Sequence, residues 1–199
     1  MTFVRTVKKR YTPLFRTPAT KDYKLVISED GLMNVENDKN ELLSECWFNQ
    51  VYTPCFPEGF FFVECEDGRF NFLKLSGGLL CENNYKDICF WASTSVECNE
   101  VAFTDGFIPV QRDDKLWNFI DENGVVLSQE WFPQVDNFFE GVAMVRRSKD
   151  RRNNFIKKDG TFLCKNWYKS VDHIIEGELW VKLDDDTWHH ISENGDILD

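Results

Sequence analysis

The sequence predicts an all-β protein built as a tandem repeat of small antiparallel β-hairpin units. Aromatic residues are abundant, with 18 Phe among 199 residues, and aromatic and β-branched residues favour half-buried pleated surfaces. A segment with an Asn-Gly or Asp-Gly turn between strand-like stretches recurs along the chain, and internal repeats determine architecture before local propensity does. No window sustains the i, i+3, i+4, i+7 spacing of an amphipathic helix, so helix is expected to be scarce.

The best-preserved unit covers residues 116–145 and reads LWNFIDENGVVLSQEWFPQVDNFFEGVAMV. Its second strand ends at Asn123-Gly124, a strong hairpin signal because both turn positions need positive φ. A third strand carries Leu127 and the aromatic pair Trp131-Phe132, and the unit closes on Glu140-Gly141 before the next apolar strand. Each unit is therefore predicted to consist of a strand, a polar turn, a second strand, a Gly turn and a third strand.

Aligned copies of this unit occupy most of the chain. The turns after the second strand are Asp38-Lys39 in a poorly preserved first copy, then Ser76-Gly77, Asn123-Gly124, Asp159-Gly160 and Asn194-Gly195. The aromatic pairs are Trp47-Phe48, Asn84-Tyr85, Trp131-Phe132 and Trp167-Tyr168, and the closing pairs are Glu58-Gly59, Glu140-Gly141 and Glu176-Gly177. We expect four nearly complete units and a fifth that is cut short at Asp199, with an insert at 92–99 stretching the second.

The residues before the repeats predict a separate segment. Residues 1–22 are expected to be a basic extended arm with a strand near Phe3–Val7, and residues 23–199 the repeat domain, with a strand at Lys24–Ser28. Residues 1–24 hold seven basic residues and one acid, net +6, whereas the remainder holds 16 basic and 33 acidic residues, net −17. A basic arm of this kind docks on an acidic partner or on the protein's own acidic body.

The segment Trp117-Asn118-Phe119-Ile120-Asp121, with its Gly turn and the closing Phe139–Val145 stretch, resembles the WG-repeat family. The resemblance covers roughly residues 24–199 and is best in the third and fourth units. It implies a tandem array of small antiparallel β units of the type found in bacteria and their viruses, usually without an assigned activity. Two closures are compatible with it: an open twisted array, which the uneven spacing favours, and a small β-propeller.

One slot departs from the family pattern. Where the family has Gly after Trp, this chain has Asn71, Asn118 and Asn154, and His189 in the last unit. Asn enters the left-handed region more readily than other non-Gly residues, so we hypothesise positive φ or a bulge at this slot. The alternative is an Asn that is merely exposed on a strand.

No pattern of catalysis or of metal or cofactor binding emerges. The chain has no nucleophile elbow or phosphate-binding loop, so no enzymatic activity and no cofactor are predicted. Adjacent strand residues His189 and His190 point to opposite faces, and Asp184-Asp185-Asp186 falls in a hairpin turn without calcium-loop spacing. The seven cysteines are odd in number and lack C-x-x-C spacing, which indicates reduced thiols. A hydrolase would need two carboxyl groups across a cleft, which nothing in the sequence pairs.

The predicted location is cytoplasmic, or the virion if the source is viral. No apolar run is long enough for a transmembrane helix, and the N-terminus lacks the apolar core of a signal peptide. We therefore expect no membrane association.

The predicted function is a non-catalytic protein-interaction or structural module, such as a component of a viral particle, with self-association as one possibility. The candidate partner-binding residues are Arg5, Lys8, Lys9, Arg10, Arg16, Arg146, Arg147, Arg151 and Arg152. The acidic body disfavours nucleic acid as a partner, because it would repel phosphates.

The alternative function is a module that binds glycans or small ligands through the equivalent residues Trp47, Trp131 and Trp167. It requires at least some of these indoles to be exposed. The competing interpretation places them in the core between repeats, because no single repeat buries its own apolar face.

Overall fold

The computed structural model describes residues 5–11, 22–52, 59–88, 103–174 and 178–198. Within these ranges the protein is all-β, as the composition predicted, and contains no helix. The chain forms two compact units, residues 1–102 and residues 103–199.

The first unit contains a six-stranded antiparallel sheet in which the strands follow one another in chain order, β1 to β6. Its strands are β1 (Val7–Tyr11), β2 (Lys24–Ser28), β3 (Met33–Glu36), β4 (Phe48–Tyr52), β5 (Phe60–Cys65) and β6 (Phe70–Lys74), and they are followed by β7 (Asp87–Ile88). The predicted strand at Lys24–Ser28 is confirmed as β2. The strand predicted near Phe3–Val7 lies mostly outside the described residues, and the strand observed there is Val7–Tyr11.

The second unit is built from the remaining strands. These are β8 (Phe107–Gln111), β9 (Trp117–Asp121), β10 (Gln134–Val135), β11 (Val142–Arg146), β12 (Asn153–Lys157), β13 (Ser170–Ile174), β14 (Glu178–Lys182) and β15 (Trp188–Ile191). Strands β8 and β9 pair as an antiparallel hairpin, and two three-stranded sheets follow, β10–β11–β12 and β13–β14–β15. In each three-stranded sheet the first strand comes from the preceding repeat, so the sheets connect neighbouring repeats.

We number the repeats by residues: first 24–51, second 60–88, third 107–135, fourth 142–174 and fifth 178–198. Each begins with a β-hairpin whose turn contains one residue of positive φ, three positions before the Asn slot. These residues are Gly31 (φ 90°), Gly68 (φ 73°), Lys115 (φ 65°), Arg151 (φ 60°) and Asp186 (φ 69°). The tandem repeat predicted from the sequence is thus present in the backbone itself.

The second turn of each repeat packs against the preceding repeat within a unit. A Cβ added to Gly160 would lie 2.7 Å from the carbonyl oxygen of Leu127, and one added to Gly195 would lie 2.6 Å from that of Leu163. Glycine is therefore required at both positions by its positive φ and by the close backbone approach. In the first repeat the positive φ lies at Asn40 (φ 62°), so the predicted turn at Asp38-Lys39 is displaced toward the C-terminus.

The Asn slot hypothesis was wrong, and so was the exposed alternative. Asn71, Asn118 and Asn154 lie within ordinary strands and are fully buried. The Asn118 side-chain amide donates hydrogen bonds to the carbonyl oxygens of Ser128 (2.7 Å) and Glu130 (3.0 Å), and its Oδ1 accepts from the Phe119 backbone N–H (2.8 Å). Asn154 bonds Cys164, Asn166 and Phe155 in the same way. The Asn side chain at this slot, which we call the buried amide clamp, hydrogen-bonds the segment that precedes the aromatic pair and so fixes its path.

The closing Gly pairs form two-residue hairpin turns. Glu140 and Gly141 both have positive φ, and Phe139 and Val142 exchange backbone hydrogen bonds across them, the geometry of a type I′ turn. Asp105-Gly106 forms an equivalent turn between Thr104 and Phe107. This copy lies beyond the insert at 92–99 and was not recognised in the sequence. Glu58 and the pair Glu176-Gly177 lie outside the described residues.

The core is shared between neighbouring repeats rather than enclosed within each one, as expected for a repeat protein. One cluster joins the first and second repeats and contains Leu25, Val35, Leu43, Phe48, Val51, Phe61, Val63, Cys65 and Leu73. A second joins the third and fourth and contains Phe119, Phe132, Val135, Phe138, Ala143, Val145 and Ile156. A third joins the fourth and fifth through Val142, Phe155, Leu163, Cys164, Tyr168, Leu179, Val181 and Ile191.

The described cysteines are free thiols: Cys46 is exposed, and Cys65, Cys81 and Cys164 are buried. Burial raises the pKa of the Cys65 thiol to about 12 and that of Cys164 to about 11. These two side chains are therefore protonated at neutral pH and behave as small apolar residues. Cys55, Cys89 and Cys98 lie outside the described residues.

Candidate functional site

The candidate residues of the basic arm contact the first unit's own acidic residues. The Arg5 guanidinium lies 2.9 Å from Glu66 and 3.3 Å from Asp30, and so joins the hairpin turns of the first two repeats. Arg10 pairs with Glu36 at 3.0 Å; the Glu36 side chain is only 2% exposed. Lys8 and Lys9 are exposed on β1, and Arg16 lies outside the described residues. Arg5 and Arg10 thus anchor the arm to its own body.

The Arg-rich turn of the fourth repeat differs in length from the other hairpin turns. The residue before each turn donates its backbone N–H to a carbonyl four positions ahead, as Arg112 does to Leu116, but Arg147 donates to Arg152, five positions ahead. One residue is therefore inserted here, and a second arginine occupies the place of Leu116. The insertion and the added charge coincide in a single repeat.

Arg147 is fixed by an indole ring and a carboxylate. Its guanidinium carbon lies 4.6 Å from the centroid of the Trp167 ring, a cation–π contact. Two of its nitrogens bond the two Asp150 oxygens at 2.7 and 2.5 Å. This bidentate contact lowers the pKa of the Asp150 carboxyl from 3.8 to about 2. Both ends of the Arg147–Asp150 pair lie in one turn, so the pair is a local feature of that turn.

Arg152 reaches from the fourth repeat to the fifth. One guanidinium nitrogen donates to the carbonyl oxygen of Trp167 (3.1 Å), and another contacts a carboxylate oxygen of Asp184 (2.5 Å) in the next hairpin turn. The Asp184 side chain is 73% exposed, whereas that of Arg152 is 33% exposed. The guanidinium is thus held by the backbone on one side and by a solvated carboxylate on the other.

These side chains line an open cleft of about 720 Å³ between the hairpin turns of the fourth and fifth repeats, which we call the Arg–Trp cleft. Its lining residues are Arg147, Arg152, Lys165, Asn166, Trp167, Tyr168, Leu183, Asp184 and Asp185. Lys165 is exposed and makes no ion pair with the described part of the chain. The cleft therefore combines three cationic groups and an indole with two carboxylates. The excess of cationic groups is suited to carboxylates in an extended partner segment.

The other two arginines predicted for this site do not line the cleft. Arg146 donates from Nε to the Asn153 side-chain oxygen (3.0 Å) along the sheet. Arg151 is exposed at the position of positive φ in the turn. Of the four predicted arginines of the fourth repeat, the fold brings Arg147 and Arg152 together and leaves Arg146 and Arg151 outside.

The equivalent tryptophans are mainly packing residues. Trp47 is buried, and Trp131 and Trp167 are half-buried. Arg112 lies over the Trp131 ring at 4.2 Å, as Arg147 does over Trp167. The edge of Phe162 meets Trp167 at 4.9 Å between ring centroids. Trp47 is thus inaccessible to a ligand, and an arginine covers one face of each of the half-buried indoles Trp131 and Trp167.

Neither a metal site nor a membrane helix is found in the parts of the chain that are described. No group of three or more His, Cys, Asp or Glu is arranged to hold a metal ion there, and no helix is long and apolar enough to cross a membrane. His190 instead stacks on Trp180 at 5.4 Å, and the His189 ring lies 2.8 Å from the Thr187 hydroxyl.

Sequence reasoning missed two cleft residues, Lys165 and Asp184, and the buried amide clamp. The repeat alignment contained a signal for Asp184, because it places the Asp184-Asp185-Asp186 turn one repeat after the Arg-rich turn. Adjacent repeats stack, so equivalent turns are neighbours in space. Lys165 lies two residues before Trp167, and no feature of the sequence distinguished it.

The comparisons with known proteins give a remote likeness to β-repeat structures. No family model and no curated protein matches the chain. The WD40 β-propeller domain of Doa1 aligns at 12% identity over 98% of this chain and 68% of its own, with a TM-score of 0.34. BamB from Moraxella catarrhalis aligns at 13% identity over 89% of this chain and 57% of its own (TM-score 0.36). A protein of unknown function from Bacteroides caccae aligns at 16% identity over 84% and 68% (TM-score 0.31).

Proposed function

We propose that this protein is a non-catalytic interaction module that binds an acidic segment of a partner protein in the Arg–Trp cleft. The observation that carries the proposal is the arrangement of Arg147, Arg152 and Lys165 around Trp167. Arginine guanidinium groups bind carboxylates with fixed geometry. The Trp167 indole beneath Arg147 and the Trp167 carbonyl oxygen bonded to Arg152 limit the motion of both groups. The finer proposals, a WG-repeat protein and a component of a larger assembly such as a viral particle, extend this function.

The positive charge around the cleft supports an acidic partner although the protein as a whole is acidic. Residues 146–158 contain seven basic residues and one acid, whereas the whole chain has a net charge of −11. A short basic surface on an acidic protein attracts an acidic segment nearby, while the overall charge opposes long polyanions such as nucleic acid. We therefore favour a protein partner with clustered Asp or Glu.

Fluorescence anisotropy of a labelled octaglutamate peptide tests the proposal with the full chain at low ionic strength. Arg152→Gln and Lys165→Gln are each expected to weaken binding about fivefold to tenfold, corresponding to about 1–1.4 kcal/mol. Lys149→Gln is the matched control, because Lys149 is an exposed lysine close by in the chain that does not line the cleft. It should lower the affinity less than Lys165→Gln does, because it removes long-range attraction but no contact in the cleft.

Two results would contradict this function. One is no detectable binding of octaglutamate by the wild-type protein at low salt. The other is an equal loss in the Lys149→Gln and Lys165→Gln variants, which would indicate general charge attraction without a site.

A further inference from the structure

The Arg–Trp cleft contains a carboxylate of its own at the position where a ligand carboxylate would bind. Asp184 extends from the fifth repeat's hairpin turn to Arg152 of the fourth, with 2.5 Å between its Oδ1 and the guanidinium nitrogen. Its side chain is 73% exposed. A solvent-exposed ion pair contributes little net stability, because water and salt compete for both charges. The Arg152–Asp184 contact can therefore exchange with a ligand at small cost.

Asp150, which pairs with the other arginine of the cleft, is held much more firmly than Asp184 although it does not itself line the cleft. Asp150 bonds Arg147 through both oxygens and also accepts the Arg152 backbone N–H at 3.2 Å. All of these groups lie in one turn, so loss of Asp150 would disturb the turn itself. Asp184 makes its contact across two repeats, and its removal leaves each turn's own backbone bonds in place.

Arg152 would keep its position after Asp184 leaves. Its other guanidinium nitrogen donates to the Trp167 carbonyl oxygen at 3.1 Å, and Asp150 lies 4.0 Å from its Nε. A guanidinium held by these groups presents its free nitrogens to an incoming carboxylate without reorganising. Lys165 supplies a second cation on the same cleft for a neighbouring acidic side chain.

We propose that Asp184 is a built-in competitor, and that an acidic peptide binds the cleft by displacing Asp184 from Arg152. The inference rests on the proposed function and adds a mechanism of regulation: the cleft is partly self-occupied, and its affinity is set by this one carboxylate. The preferred partner segment carries two acidic side chains, one replacing Asp184 at Arg152 and one meeting Lys165.

The test compares Asp184→Asn with Asp185→Asn in the full chain, again by anisotropy of labelled octaglutamate. Asp185 is a matched control because it also lines the cleft, yet within the described ranges its carboxylate accepts hydrogen bonds from Thr187 of its own turn alone (3.1 and 2.6 Å). Asp184→Asn should tighten binding about fivefold, whereas Asp185→Asn should change it less than about twofold. Each variant removes one negative charge from the cleft, but only Asp184→Asn removes the carboxylate that competes for Arg152.

A second readout follows the Arg152 side chain directly. In a titration of the wild-type protein with octaglutamate, the Arg152 Nη–H resonances should move from their Asp184-bound position to a peptide-bound position. In Asp184→Asn these resonances should start from a position without Asp184 and reach the same end point at lower peptide concentration.

The outcomes separate the two proposals. Equal affinities for wild type and Asp184→Asn, or equal gains for both Asn variants, would overturn the competitor while the binding function stands. Absence of binding in both wild type and Asp184→Asn would overturn the binding function, and the competitor with it.

Discussion

The third and fourth repeats share one scaffold and differ at one turn. In both, an arginine before the turn stacks on the indole of the same repeat, Arg112 on Trp131 and Arg147 on Trp167. In both, a carboxylate within the turn pairs with that arginine, Asp114 in the third and Asp150 in the fourth. The stack is therefore a structural element of the repeat and is not by itself a binding site.

The difference lies in the inserted residue and in Arg152. The third repeat has Leu116 where the fourth has Arg152. Only the second guanidinium contacts the neighbouring turn, through Asp184. The proposed site thus differs from the equivalent turn of the third repeat by one inserted residue and one substitution, whereas the buried clamp is the same in both repeats.

The largest expected effect tests whether the two repeats are equivalent in their buried clamps. Asn118→Ala and Asn154→Ala should each lower the free energy of unfolding by about 3 kcal/mol or more, since each unsatisfied buried backbone group costs about 1–3 kcal/mol. Urea denaturation followed by tryptophan fluorescence measures the loss. Asn123→Ala, at an exposed turn position, is the control and should cost less than about 0.5 kcal/mol. Clearly unequal losses for the two clamps would refute the equivalence.

The next effect concerns the contact between the two repeats. Gly160→Ala should lower the free energy of unfolding by about 2–5 kcal/mol, combining about 1–2 kcal/mol of left-handed strain with about 1–3 kcal/mol of overpacking against Leu127. Gly141→Ala has the strain (φ 89°) but no atom within 4 Å of the added Cβ, and should cost only the first part. Thermal and urea unfolding of the two variants compare them. Similar losses would show that the Leu127 approach relaxes freely.

A smaller effect concerns the residues of positive φ in the two hairpin turns. Lys115→Gly and Arg151→Gly should each stabilise the protein by up to about 1.5 kcal/mol, because glycine removes left-handed strain of about 1–2 kcal/mol but adds about 0.5–1 kcal/mol of unfolded-state entropy. The shift in thermal midpoint measures this. Destabilisation by Arg151→Gly alone would mean that the Arg151 side chain stabilises the longer turn, and the two turns would then differ in energetics as well as length.

The smallest effect is the pH dependence of the two turn carboxylates. Pairing with Arg147 lowers the folded-state pKa of Asp150 from 3.8 to about 2, and pairing with Arg112 lowers that of Asp114. A depressed folded-state pKa stabilises the fold above the unfolded pKa, and this contribution is lost as pH falls from 3.8 through about 2. Carbon-13 NMR titration of the carboxyl groups should show both midpoints below 3.8, and Arg147→Gln should raise only that of Asp150. An unchanged Asp150 midpoint in that variant would contradict the pairing.

Local sequence rules predicted the parts of the fold that depend on local chemistry. Strands at Lys24–Ser28 and Val142–Val145 and the closing turn at Glu140-Gly141 follow from short apolar runs rich in β-branched residues and from glycine's access to positive φ. The shared Trp positions predicted packing between repeats, which is confirmed for Trp167 because it packs against the cluster that joins the third and fourth repeats. The prediction for the Asn slot was wrong because the side chain bonds carbonyl groups ten and twelve residues away. The local preference of Asn for left-handed φ gives no information about such distant partners.

The sequence by itself determined the all-β class, the repeats and their turns, because each of these is decided by side chains within a few residues of one another. Only the tertiary structure decided which charges form a site. Nine basic residues were candidates, and the fold placed Arg147 and Arg152 in one cleft, added Lys165 and Asp184, and paired Arg5 and Arg10 with the acidic residues of the first unit. The physical reason is that a long charged side chain pairs with whatever group the fold brings within about 4 Å. That group belongs to another repeat in several of these pairs, so the local sequence around the charge does not identify it.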